Sequence, residues 1–222
     1  TKMKKLNTLQ LKTKRGFNLE AFEGDSITRE VQKKGEYDTN TLNSLVDILT
    51  LIKPMTSLDV GANIGNHALL IAELSNKVIA FEPVKFVFDA LQSNVENNVV
   101  ENITAVNVGL SNTEAQHTIY IQNNGNLGSS SIEVADEASE KLDIKTVVGD
   151  AYLQKNDANS QVDFIKIDVE GHEAKALAGL KKTLLKYQPL VLIEWKDAQM
   201  LAEFKRLNLF DELFPGYQKY AL

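Results

Sequence analysis

Apolar positions in this chain recur at two periods, and the alternation between them predicts a layered α/β architecture. From Thr39 onward Leu42, Leu45, Val46, Leu49 and Ile52 fall at helical spacing and Pro54 ends the run, which predicts an amphipathic helix. Leu58 to Val60 reads as a short buried strand that enters a glycine turn, and Ala68 to Leu74 as the first crossover helix. Lys77 to Phe81 is a second strand. Val84, Val87, Phe88, Leu91 and Val95 then form the buried stripe of a helix that Pro83 can start, since a first-turn position needs no N–H. Ile103 to Leu110 is a third strand. This rhythm predicts a mostly parallel sheet with right-handed crossovers.

The second half departs from simple alternation. Thr118 to Ile121 and Ile144 to Val148 are strand-like and flank a turn-rich stretch, which predicts a hairpin insertion near the site; Asn126, Gly128 and Ser129 to Ser131 either form an ordinary loop, the simpler reading, or offer hydroxyls and N–H groups to a ligand. In the strand running from Val162, alternation puts Phe164, Lys166 and Asp168 on one face and Ile165 and Ile167 on the other. A lysine in a core strand needs a partner, and Asp168 is the local one. Gly171 turns the chain into a helix carrying Ala174, Leu177, Ala178, Leu180 and Leu184. Leu190 to Trp195 is a further strand with Glu194 near its end, Ala198 to Phe210 a last helix, and Phe214 to Leu222 an expected edge strand. Ahead of all this, Gly16, Gly24 and Gly35 punctuate polar stretches without assignable elements. Residues 1–53 are read as an N-terminal lid segment, with Gly35-Glu36-Tyr37 in the lid, and 54–222 as the main domain.

The chemistry concentrates at Leu58-Asp59-Val60-Gly61-Ala62-Asn63-Ile64-Gly65-Asn66-His67. A strand, a glycine turn and a helix in that order bring backbone close to a bound nucleotide. The following strand ends in Glu82, placed to accept both hydroxyls of a ribose. A pyrophosphate-binding turn wants G-x-G-x-x-G, whereas this one is G-x-x-x-G with Asn63 at the middle place, and no basic residue lies between Lys53 and Lys77. A ligand with a ribose and no phosphate fits better, which points to S-adenosylmethionine and counts against a nicotinamide dehydrogenase.

Composition narrows the picture modestly. The chain has 222 residues, 43% of them hydrophobic and 24% charged, which suits one ordinary globular domain. Its net charge of −6 argues against nucleic acid as the main partner, and the basic residues from Lys2 to Lys34 read as a solvated face. A nucleic-acid methyltransferase would also show an N-P-P-Y-like turn where this chain has Asp168-Val169-Glu170-Gly171. There is no cysteine, hence no disulfide or thiolate chemistry, and no apolar run approaches membrane-spanning length. The expected setting is cytoplasmic.

Methyl transfer from such a cofactor needs alignment and, where the acceptor must lose a proton, a base. Asp168 sits at a strand's carboxyl end, where open α/β sheets bind ligands. The candidate catalytic set is Asp168 with Glu170 or His172. Glu170 and Glu173 also suit a helix's first turn on dipole grounds, His67 suits capping or packing, and His117 a surface place. If their strands are neighbours, Asp168 and Glu194 converge and could serve as a base pair or as ligands of a divalent ion. A binding module that holds the cofactor without turnover is the remaining alternative.

Taken together, LDVGANIG, the FEP of Phe81 to Pro83 and the DFIKIDVEGHE of Asp163 to Glu173 resemble the FkbM family of S-adenosylmethionine-dependent methyltransferases, from about Gly35 to Trp195. The resemblance implies a class I, Rossmann-like fold with a mostly parallel seven-stranded sheet, one strand antiparallel, helices on both faces, and O-methylation of a hydroxyl on a sugar, glycan or small metabolite. It implies that Asp59, Gly61, Asn63 and Gly65 line the methionine part of the cofactor, that Glu82 takes the ribose and that Asn107 lies near adenine. A related group of sugar O-methyltransferases holds Mg²⁺ through acids placed like Asp168 and Glu194; this chain lacks that group's fuller acidic pattern, which leaves Mg²⁺ open.

Overall fold

A computed structural model describes residues 7–121, 140–157, 160–195 and 198–220. The chain opens with a hairpin of β1 (Thr8–Lys12) and β2 (Asn18–Phe22), then α1 (Ser26–Lys34) and α2 (Thr39–Ile52). There follow β3 (Thr56–Val60), α3 (Asn66–Leu74), β4 (Lys77–Phe81), α4 (Lys85–Asn97), β5 (Ile103–Val106), β6 (Gly109–Ser111), β7 (Ala115–Ile121) and β8 (Glu140–Val148). The remainder is α5 (Gly149–Asn156), β9 (Phe164–Ile167), α6 (Glu173–Ala178), α7 (Lys181–Tyr187), β10 (Leu190–Ile193), α8 (Ala198–Arg206) and α9 (Leu209–Leu213).

The α/β expectation holds, with the strands divided differently. Among the described residues the central sheet has five parallel strands in the order β10-β9-β3-β4-β5, and β6, β8 and β7 form a separate three-stranded sheet that contains the antiparallel pair. The split occurs inside the expected third strand. Asn107 turns there and its amide donates to the carbonyls of Glu82 and Pro83 (2.9 and 3.1 Å), so the chain leaves the central sheet and β6 pairs with β8.

Period-two alternation sorts the central strands onto two cores. Leu58, Val60, Ile79, Phe81, Ile165 and Ile167 pack against α5 to α9, whereas Val78 and Phe164 pack against α2 and α3. Both faces of a parallel sheet are therefore covered, as its backbone pattern requires. The N-terminal hairpin shares these cores: Phe17 and Leu19 lie with Leu45 and Leu69, and Ala21, Phe22 and Ile27 with Ile64 and Val87.

Other boundaries differ for local reasons. The helix expected after Gly171 is two helices, broken at Gly179–Leu180 where Ser111 of β6 lies against the chain. The expected last helix is likewise split, by Asn208 in a left-handed conformation (φ 49°). Pro83 stands one residue before the cap of α4 rather than in its first turn. Residues 214–220 form no strand. Asn126, Gly128 and Ser129 to Ser131 lie outside the described residues. Among those described, no helix is long and apolar enough to cross a membrane.

Candidate functional site

The order of the central sheet brings the singled-out residues into one row. At the carboxyl ends of β10, β9, β3, β4 and β5 stand Glu194, Asp168, Gly61, Glu82 and Asn107. From β3 the chain winds outward through β4 and β5, then returns to the other side of β3 for β9 and β10. The reversal opens a crevice beside β3, the usual ligand site of such sheets.

Gly61 lies at that crevice with φ 81°, and a Cβ there would meet the backbone oxygen of Asp168 at 1.9 Å. Only glycine allows the bend to pass so close to β9. The amides of Gly61 and Ala62 both donate to the Phe81 carbonyl at 3.0 Å, and Asp168 N donates to Val60 O at 3.0 Å, which ties the bend to both neighbouring strands. Gly65 ends the turn ahead of α3, with Leu91 of α4 packed where a side chain would go. Asn63 is left-handed (φ 51°), and its Oδ1 accepts from Ile64 N at 2.8 Å.

Glu82 faces this bend and not bulk water, being 6% exposed. One carboxylate oxygen accepts from Asn63 N (3.0 Å), the other from Val84 N (2.9 Å). Burial pushes its pKa up to about 7 even though both donors oppose the shift, and the charge of Asp59 adds to the rise. Here is a carboxylate whose desolvation two backbone donors do not offset. The hydroxyls of a ribose are the donors it needs, so the bend and this acid fit a phosphate-free adenosyl cofactor. Asn107 is committed by its amide to the Glu82–Pro83 turn, and so supports the acid from behind.

Asp59 lies beneath the bend. It is fully buried and directly paired in register with Lys166 of β9, whose Nζ lies 3.3 Å from Asp59 Oδ1 and 3.8 Å from Asp168 Oδ2. Asp59 Oδ1 therefore neutralises the buried lysine beneath the bend while its Oδ2 is left without a hydrogen bond, and Asp168 is the lysine's second partner rather than its first. Burial alone would lower the Lys166 pKa; Asp59, then Asp168 and Glu194, outweigh it and raise it. Asp168 and Glu194 do follow adjacent, paired strands, as expected. Asp168 ion-pairs with the ammonium of Lys166, on which the charge of Glu194 also acts, and among the described residues no group of three or more His, Asp or Glu is placed to hold a metal ion.

The turn after Asp168 is held by Glu173, not by its more exposed neighbours. Glu173 is fully buried, and its Oε1 accepts from Val169 N and Gly171 N, both at 3.1 Å. The clamp secures a left-handed Glu170 (φ 54°), a conformation that costs a non-glycine residue about 1 kcal/mol or more. His172 turns toward the three-stranded sheet: its Nε2 is 3.0 Å from Ser111 Oγ and its ring packs edge-on to His117. Burial, then Lys175 and His117, depress its pKa to about 4. The Nε2 of His172 is thus engaged by a hydroxyl of β6. His117 is itself half-buried, with Nε2 3.0 Å from Thr146 Oγ1.

Residues 35–38 lie against the start of α3, next to the glycine turn. Gly35 to Asp38 is pinned on one side by Lys14 N donating to Gly35 O (2.8 Å) and by the Arg15–Glu36 ion pair (2.7 Å). On the other side lies the start of α3, where the Asn66 amide approaches Tyr37 O at 3.5 Å and His67 Nε2 is 3.5 Å from Asp38 Oδ2. Tyr37 is raised to about 12, chiefly by burial and then by the charges of Asp38 and Asp168, so its phenol keeps its proton beside the crevice. Asp38 is held down at about 2 by His67 first, with Thr41 adding to it against partial burial. Sequence reasoning passed over Asp38, because an acid just ahead of a helix reads as an ordinary cap.

Comparison with known proteins agrees with this geometry. The methyltransferase FkbM domain family matches residues 59–215. The hexuronic acid methyltransferase AglP of Haloferax volcanii is 32% identical over 126 residues, 57% of this chain and 50% of that protein. This chain thus spans about half the length of the curated relative it matches. The crystal structure of methyltransferase FkbM from Methylobacillus flagellatus KT superposes with a TM-score of 0.53 at 19% identity, covering 75% of this chain and 39% of that one, which supports the same fold.

Proposed function

Because the chain belongs to the methyltransferase FkbM family, we propose that it transfers the methyl group of S-adenosylmethionine to a hydroxyl of a sugar or glycan. What carries the reading is the convergence of Gly61, Glu82 and Asp168 on the crevice beside β3. Gly61, Asn63 and Gly65 give the cofactor a close backbone, and Glu82 accepts from its ribose. The bound cofactor supplies a methyl group activated on a positively charged sulfur.

The chain's own part is alignment and proton removal. Asp168, about one third exposed and steadied by Lys166 at 3.8 Å, receives the acceptor's hydroxyl proton. Glu170, two residues along the clamped turn, orients the acceptor, and the Tyr37 phenol can donate to it. The sugar class rests on the similarity to AglP, a hexuronic acid methyltransferase. Mg²⁺ forms no part of the scheme, and turnover is expected to survive EDTA.

The test is methyl transfer from labelled S-adenosylmethionine to a panel of neutral and hexuronate glycosides. Asp168→Asn is expected to lower turnover by a factor of ~100 or more while S-adenosylhomocysteine affinity stays within about twofold. Normal turnover in that variant would remove Asp168 from the scheme. Cofactor binding with no turnover on any glycoside would favour a binding module instead.

A further inference from the structure

Asp59 alone does not complete a site for the amino-acid end of the proposed cofactor. The amino-acid tail of S-adenosylmethionine carries an α-ammonium and an α-carboxylate on one carbon, and Asp59, fully buried with Oδ1 on Lys166 and Oδ2 without a hydrogen bond, offers at most one of the two charges that tail calls for. Next to the glycine turn, however, stands a pair of the right kind. His67 is the second residue of α3, just past Gly65, and is 8% exposed; its Nε2 is buried without a hydrogen bond, 3.5 Å from Asp38 Oδ2. The helix behind it starts from Gly65, which supplies no side-chain cap, so its first N–H groups point outward with the positive end of the helix dipole. A donor-rich helix start with a buried imidazole, faced at 3.5 Å by the carboxylate of Asp38, places donors and an acceptor of the kinds an amino-acid zwitterion needs side by side.

We propose that Asp38 and His67 together hold the amino-acid end of the cofactor: Asp38 accepts from the α-ammonium, and His67 with the opening N–H groups of α3 takes the α-carboxylate. The inference rests on the methyltransferase reading and extends it to the lid. Asp38 lies outside the residues the family match covers, and it makes the N-terminal segment part of the cofactor site. The Arg15–Glu36 pair and the Lys14–Gly35 hydrogen bond then act as the supports that keep Asp38 over the helix start.

Calorimetric titration with two ligands isolates this end. S-adenosylhomocysteine has the amino-acid tail, whereas 5′-methylthioadenosine keeps the adenosyl thioether without it. Asp38→Asn and His67→Ala are each expected to weaken S-adenosylhomocysteine about 10-fold or more, as loss of a charge-assisted hydrogen bond does, and 5′-methylthioadenosine less than about twofold. Glu82→Ala is expected to weaken both ligands. Unchanged S-adenosylhomocysteine affinity in the two variants, or an equal loss for both ligands, would overturn the inference and leave the methyltransferase reading standing. Failure of the unaltered protein to bind either ligand would sink both. A ligand-side measurement avoids any folding defect: the decarboxylated analogue S-adenosyl-3-thiopropylamine should bind the unaltered protein about 10-fold or more weaker than S-adenosylhomocysteine, and equal affinity would refute the role of His67.

Discussion

The two halves of the crevice are built from different materials. On the β3–β4 side the working parts are mostly backbone: a glycine bend against β9, amides of Gly61 and Ala62 on Phe81, and amides of Asn63 and Val84 on Glu82. On the β9–β10 side they are side chains brought from distant positions: Asp168 beside Lys166, Glu173 under its turn, and His172 drawn to Ser111. A backbone site tolerates few residues and constrains its sequence tightly. A side-chain site can be rearranged one residue at a time, which suits the half that the proposed scheme turns toward the acceptor.

The seam between the halves is where the comparison breaks most easily. Lys166→Met leaves Asp59 buried and unpaired and is expected to cost about 3–5 kcal/mol in a denaturant melt, most of it recovered by adding Asp59→Leu. A loss below about 1 kcal/mol would mean that water or another group already satisfies Asp59.

The cofactor half can be read through pH. Between its ordinary value of 4.5 and about 7 the folded chain keeps a proton on Glu82 that the unfolded chain has released. Stability of the unliganded protein therefore falls as pH rises through that window, by up to about 3 kcal/mol, and Glu82→Gln flattens the fall. Affinity for S-adenosylhomocysteine runs the other way, rising with pH as the carboxylate forms. An affinity that is flat from pH 5 to 8 would contradict the ribose role.

Two glycines then compare the halves directly. Gly61→Ala pushes a Cβ into the Asp168 carbonyl and should cost about 2–3 kcal/mol along with cofactor binding. Gly171 has φ 97° but open space around it, so Gly171→Ala should cost only about 1 kcal/mol. Equal melting shifts for the pair would show that backbone angle, not the close approach to β9, governs both.

This division also explains what could be read in the sequence. The Gly61 to Gly65 turn and Glu82 were legible because their spacing along the chain is itself the structural requirement. β4 was recovered residue for residue because a buried parallel strand is a continuous apolar run. The partner of Lys166 was not legible, since Asp59 becomes its cross-strand neighbour only once β3 is known to lie beside β9. The same holds for His172, whose hydrogen bond to Ser111 depends on a break in the third strand that no local pattern announces. The hairpin and α1 at the N-terminus were hidden by polar exposed faces, although Leu19, Ala21 and Ile27 are buried.

The Asp59–Lys166 contact joins positions 107 residues apart. Closing so long a span is slow compared with making local turns and hairpins, and the parallel pairing around it gains nothing until both parts of the chain have arrived. No fragment ending before β9 can contain the cleft even in outline, because the strand that walls it, the lysine that neutralises its floor and the acid that rims it arrive on one segment. Competence to bind is therefore acquired in a single late event, and a nick that frees β9 from β3 would abolish it without touching the glycine turn.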